Sequence, residues 1–225
     1  METLHFDQLP QGGFAGLKER QFVTDSRVFG DRKKAVASEG LGNFIYLADA
    51  SFVPHGETGM HPHHEIDVIS VMVDGRIHHE GSLEHGKGLE AGMAQVQRAG
   101  GEGFSHNEVN PDNTPNNMIQ LWVLPEVKGE QSGYKVYTPK SGERTRIYGG
   151  IKGDTKHFYS NTVIEVASLE AGQTVEQTGN VMAFLSKGKG LSETKEITAH
   201  TLLQGENLSF KATETSQLIL VYTLS

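Results

Sequence analysis

Apolar residues in this chain come in short runs, and glycine-bearing reversals separate them at close intervals. Six stretches read as strands: Asn43–Ala48, Ile66–Val73, Ile119–Leu124, Val163–Ala167, Val181–Leu185 and Leu218–Leu224. Asp74-Gly75, Ala91-Gly92, Gly100-Gly101, Ala171-Gly172, Lys187-Gly188 and Gln204-Gly205 supply the tight turns that antiparallel pairing requires. The pattern predicts an all-β chain. The first 40 or so residues show no strong period and are expected to be irregular apart from one strand.

An internal repeat refines this picture. Sliding the chain on itself sets Asp67–Gly75 on Asn180–Gly188, and the same shift sets Ala91-Gly92-Met93 on Gln204-Gly205-Glu206 and Arg98-Ala99 on Lys211-Ala212. Gln120–Val123 falls against Gln217–Leu220 only if the stretch between Gly100 and Asn117 has no counterpart in the second copy. Two β-barrel or jelly-roll units follow, residues 1–126 and 127–225, with the polar, turn-rich stretch from Pro125 to Ser141 as the linker. At 225 residues the chain is long enough for either one large β domain or two units.

Composition excludes several functions. With no cysteine there is no disulfide, thiolate nucleophile, cysteine zinc site or iron–sulfur cluster, so any metal must sit on His, Asp or Glu. Twenty Lys and Arg against 28 Asp and Glu leave a net charge of −8 without a basic cluster, which argues against direct nucleic-acid binding. No run approaches the ~18 apolar residues of a membrane span, and the start Met1-Glu2-Thr3-Leu4-His5 lacks the features of a secretory signal. A cytoplasmic protein that binds a small molecule or a protein partner is expected.

Eight of the 11 histidines lie between His55 and His106. In His61-Pro62-His63 an extended backbone puts both imidazoles on one face, and Pro62 favours extension at His61. His106-Asn107-Glu108 repeats the spacing with a carboxylate. On facing strands the two pairs can converge as three imidazole nitrogens and one carboxylate oxygen, a set suited to Fe, Ni, Cu, Zn or Mn rather than Ca or Mg. The alternative for His-Pro-His-His is a polar surface loop with no ligand role. Under the repeat shift Thr174 and Glu176 replace His61 and His63 and nothing matches His106, so only the leading unit can hold a metal in this way. His78 and His79 are neighbours on a strand, face opposite ways and read as structural.

At these residues the sequence resembles the pirin family. The run His61-Pro62-His63-His64-Glu65-Ile66-Asp67, then Asp74-Gly75-Arg76-Ile77-His78-His79-Glu80-Gly81, Ala99-Gly100-Gly101-Glu102-Gly103 and Ser105-His106-Asn107-Glu108 follows pirin order. The resemblance is clear from Gly56 to Glu126. It implies a bicupin, two tandem cupin (jelly-roll) β-barrels, in which His61, His63, His106 and Glu108 hold one divalent metal: Fe(II) first, with Ni, Cu, Zn, Mn or Co as alternatives. It also implies either a quercetin 2,3-dioxygenase-type activity on a small aromatic molecule with O2, or a non-enzymatic, redox-sensing regulator that binds a protein partner. The chain departs from the family pattern at His64, Glu65 and Gly81, which leaves the four ligands intact and bears on the substrate pocket. For a dioxygenase, Glu108 would be both ligand and general base. Ile69, Val71, Met93, Val96, Phe104 and Trp122 would enclose the substrate, or simply form barrel core.

Overall fold

The computed structural model describes residues 1–224, which fold as two units. One is Leu9–Thr138; the other is Met1–Gln8 together with the chain from Pro139 onward.

The leading unit places a seven-stranded antiparallel sheet and a four-stranded one in a jelly-roll arrangement. The larger runs in the order Gly133–Tyr137, Ala94–Arg98, Asp67–Asp74, Asn117–Val123, Phe44–Phe52, Leu17–Thr24 and Gly12–Phe14. The smaller runs His61–His63, Phe104–Val109, Arg76–Gly81 and Lys87–Glu90. Alternation along Asp67–Asp74 sends Val68, Ser70 and Met72 to one face and Ile69, Val71 and Val73 to the other. Met72 packs with Phe52, Ile77, Leu89 and Met118 in a buried cluster. Gly75 turns the chain from Asp74 into Arg76 with φ +70°, and a Cβ there would meet that of Asn116 at 2.9 Å.

The second unit is one eight-stranded antiparallel sheet built around Val181, Ala183, Leu185, Leu203, Phe210, Leu218 and Leu220. Its central order, Thr201–Ala212, Thr174–Lys187, Ser216–Thr223 and Ser160–Leu169, reproduces Ala94–Arg98, Asp67–Asp74, Asn117–Val123 and Phe44–Phe52 of the first. The two jelly rolls of a bicupin are therefore present, related by the predicted repeat. They differ where the repeat predicts a deletion. In the first unit His61 and His63 pair with His106 and Phe104, whereas Thr174 and Glu176 pair with Lys211 and Ser209 of an extended strand.

All six predicted strands form, most of them longer than their apolar stretches. Three expectations need correction. The boundary after residue 126 moves to Thr138, because Gly133–Tyr137 is not linker but an edge strand, with Tyr134 opposite Gln97 and Lys135 opposite Val96. The first 40 residues hold three strands, Glu2–His5, Gly12–Phe14 and Leu17–Thr24, and the first of these pairs with Thr201–Gln204 of the trailing unit. Gln204-Gly205 is no turn: both residues lie inside Thr201–Ala212, opposite Met182 and Val181. Among the described residues no helix is long and apolar enough to cross a membrane.

Candidate metal centre

The four-stranded sheet assembles the site. Register sets His61 beside His106, and His106 beside Gly81. His61 Nε2 and His63 Nε2 each lie 3.1 Å from His106 Nε2, and the three donors sit within 4.8 Å of one another. Two nitrogens bound at adjacent positions of one ion with bonds of ~2.1 Å stand about 3.0 Å apart, so this spacing is that of a shared ion.

The surroundings leave the nitrogens ready to ligate. Gly59 O is 2.9 Å from His61 Nδ1 and accepts a hydrogen bond from it, which keeps the proton on Nδ1 and leaves Nε2 bare. Gln97 reaches His106 Nδ1 through its amide nitrogen at 3.2 Å, while its buried Oε1 has no partner. Turning that amide over places Oε1 against His106 Nδ1, where it accepts a hydrogen bond and fixes the proton on that nitrogen. Burial first, then the neighbouring His61, hold His63 down to about 4. Burial, followed by His63, His61 and His79, holds His106 down to about 2. Both imidazoles are thus neutral donors near pH 7. The residues fit a divalent ion.

Glu108 stands apart from the three. Its Oε1 accepts from Ser70 Oγ at 2.8 Å and Gln95 Nε2 at 3.0 Å, and Gln120 Nε2 approaches Oε2 at 3.4 Å. Tyr134 in turn donates to Gln95 Oε1 at 2.9 Å. Burial raises the Glu108 carboxyl to about 7 against the opposing hydrogen bonds from Ser70 and Gln95. The barrel interior therefore moves the titration of this carboxyl into the neutral pH range.

A cleft of about 470 Å³ opens onto His61 and His63. Trp122 and Tyr46 stack at 4.3 Å between ring centroids, and Phe29 lies parallel to both at 6.3 and 5.8 Å. Phe29 is held there by a short helical turn, Ser26–Phe29, whose N-cap Asp25 accepts from Arg27 N. Glu19, Gln21, Thr58 and Gln120 add polar groups.

The Pirin family model matches residues 26–123, the span that carries all four predicted ligands. A Pseudomonas aeruginosa protein provisionally named quercetin 2,3-dioxygenase is 28% identical over 98% of both chains. The bacterial pirin YhhW of Escherichia coli, solved in complex with nickel(II), superposes with a TM-score of 0.83 over 100% of this chain and 99% of its own, at 15% identity. Residues 26–123 therefore resemble the pirin family in sequence, and the whole chain shares the fold of a bacterial pirin. A quercetin 2,3-dioxygenase of Acinetobacter baumannii shares the fold at a TM-score of 0.68 and 16% identity, over 98% of this chain and 85% of that one.

The expected enclosing residues are arranged differently. Only Trp122 of the six lines the cleft. Ile69, Val71 and Val96 point to the opposite face of the sheet from Ser70, Gln95 and Gln97; Met93 joins the Met72 cluster; Phe104 packs edge-on against His106. The inward glutamines were legible in principle, since Gln95-Val96-Gln97 carries an i,i+2 polar pair in a segment that is buried throughout. Of His78 and His79, His79 is the one that faces inward. It is fully buried, its ring 5.4 Å from that of His106 and 5.5 Å from Tyr134, and neither ring nitrogen has a hydrogen-bond partner. One departure from the family pattern has a physical role: Glu65 takes a positive φ of 51° and its carboxylate accepts from Gly129 N at 2.9 Å, which ties the turn after His63 to the segment leading into Gly133–Tyr137.

Proposed function

We propose that this protein is a cytoplasmic, metal-dependent pirin, a dioxygenase of the quercetin 2,3-dioxygenase type, with Fe(II) as its metal and His61, His63, His106 and Glu108 as ligands. The observation that carries the reading is the convergence of three imidazole nitrogens, two of them, on His61 and His63, lining an aromatic-walled cleft. When bound, a divalent ion supplies Lewis acidity and redox chemistry toward dioxygen. The chain's own residues do the rest. Trp122 and Tyr46 offer flat faces that orient a planar substrate, and Phe29 narrows the opening and excludes water. Glu108 accepts the proton of the substrate hydroxyl once it swings from Ser70 toward the imidazoles, and Gln120, which touches both Glu108 and the cleft, holds it on that side.

Aerobic loss of the quercetin absorbance on mixing with iron-loaded protein tests the proposal. Wild type is expected to turn over, Glu108→Gln to lose at least ~100-fold in rate, as general-base removal does. An iron-loaded wild type that leaves quercetin intact refutes the enzymatic reading and favours a metal-sensing regulator.

A further inference from the structure

The cleft has a second polar pole. Glu19 and Gln21 lie two residues apart on Leu17–Thr24, on one face of the sheet, and both line the cleft together with His61 and His63. Register carries this face across the molecule: Gln21 lies opposite Ala48, Ala48 opposite Gln120, and Gln120 opposite Ser70. Between the two glutamines stands only the methyl of Ala48, so the floor there is low. Leu17–Thr24 is two strands from Asn117–Val123, about 9.5 Å at the ordinary interstrand spacing. A small one-ring molecule cannot span that distance, whereas a three-ring planar molecule can.

Glu19 already binds a phenol. Tyr46 OH donates to its Oε2 at 2.7 Å and Gln21 Nε2 donates to its Oε1 at 2.7 Å. A carboxylate offers about four acceptor positions, so two remain. The Tyr46 ring that makes this bond is also the one stacked on Trp122. A ligand ring lying against that stack meets the same carboxylate in the same way.

We infer that Glu19 is a specificity-determining residue that accepts a hydrogen bond from a phenolic hydroxyl remote from the three imidazoles, so that the cleft selects polyhydroxylated planar aromatics over their unsubstituted parents. The inference rests on the proposal that the cleft receives flavonol-type molecules. It adds the group that reads the distal ring.

Trp122 is the sole tryptophan and lines the cleft, so its fluorescence reports occupancy without turnover. Titrations of the whole protein with quercetin and with 3-hydroxyflavone, which keeps the 3-hydroxyl and 4-carbonyl but lacks all other hydroxyls, compare the two ends of the ligand. Wild type is expected to bind quercetin at least about tenfold more tightly, the effect of a hydrogen bond to a charged acceptor. Glu19→Gln, a neutral acceptor of the same size, is expected to lose most of that preference with 3-hydroxyflavone binding unchanged. Tyr46→Phe, which frees a position on Glu19, is expected to keep it. An undiminished preference in Glu19→Gln, or its loss in Tyr46→Phe alone, overturns the assignment. Equal wild-type affinity for the two flavonols also overturns it while leaving the cleft as a flavonol site. Failure of both flavonols to quench Trp122 removes the flavonol reading and this inference together.

Discussion

Replacing Gln97 by leucine should weaken metal binding without touching a ligand. With an ion on Nε2, neutral His106 must carry its proton on Nδ1, and the Gln97 amide is the group that faces that atom, at 3.2 Å. His106 is fully buried, so water cannot take over as acceptor. In the metal-free protein the imidazole escapes the penalty by moving its proton to Nε2, where His61 and His63 stand 3.1 Å away as acceptors. The ion removes that escape. The whole cost of an unpaired buried N–H, about 1–3 kcal/mol, therefore falls on the metal-bound state, which is roughly a 5-fold to 150-fold loss of affinity. That range agrees with the usual effect of removing an outer partner of a ligating histidine. Competition for zinc or nickel against a chromogenic chelator measures it, with circular dichroism to confirm that the fold persists. Gln97→Glu retains an acceptor and should recover most of the affinity. A folded Gln97→Leu protein that binds metal within about twofold of wild type would refute the tautomer argument.

Two further outcomes are expected elsewhere in the leading unit. Gly81→Ala places a Cβ 2.8 Å from Ser105 O, 3.0 Å from His79 Nε2 and 3.1 Å from the His106 Cβ, so overpacking of about 1–3 kcal/mol should lower the thermal midpoint and displace His106 enough to weaken metal binding; Gly88→Ala, whose Cβ meets only His78 Cδ2 at 3.9 Å, should do neither, and equal tolerance of both would contradict the packing argument. Hydrogen bonding by the Arg27 side chain holds the Asp25 carboxyl below its ordinary range, so its contribution is complete above the unfolded value of about 3.9 and is lost as pH falls through the lower folded value; the gap in urea midpoint between wild type and Asp25→Asn should be full at neutral pH and close in acid, and a gap constant with pH would show that the carboxylate contributes nothing through its charge.

Much of the leading unit was legible because its signals are local. The strand Asp67–Asp74 follows from alternation and from the Gly75 turn, and the convergence of His61, His63 and His106 follows from two i,i+2 pairs on extended chain. What escaped depends on register between distant segments. Phe29, Tyr46 and Glu19 reach the cleft only because Leu17–Thr24 pairs with Phe44–Phe52, and no period within residues 1–40 announces that pairing. Alternation alone says that one of His78 and His79 faces inward; that it is His79 follows only from its place opposite Glu108. Gly205 reads as a turn because glycine favours positive φ, and it has one, 145°, but the long-range partner Val181 keeps the strand going through it.

The strand Glu2–His5 finds its partners at Thr201–Gln204. On a ribosome adding about 5–20 residues per second, some 10–40 s separate the appearance of the two segments. For about the last third of that interval, once Tyr137 has appeared, the leading jelly roll has all of its own strands and can close around its imidazoles, while a short stretch ahead of it trails unpaired. Metal capture can therefore precede completion of the trailing half, and removal of the first eight residues should expose an edge on the trailing sheet rather than damage the histidine cluster.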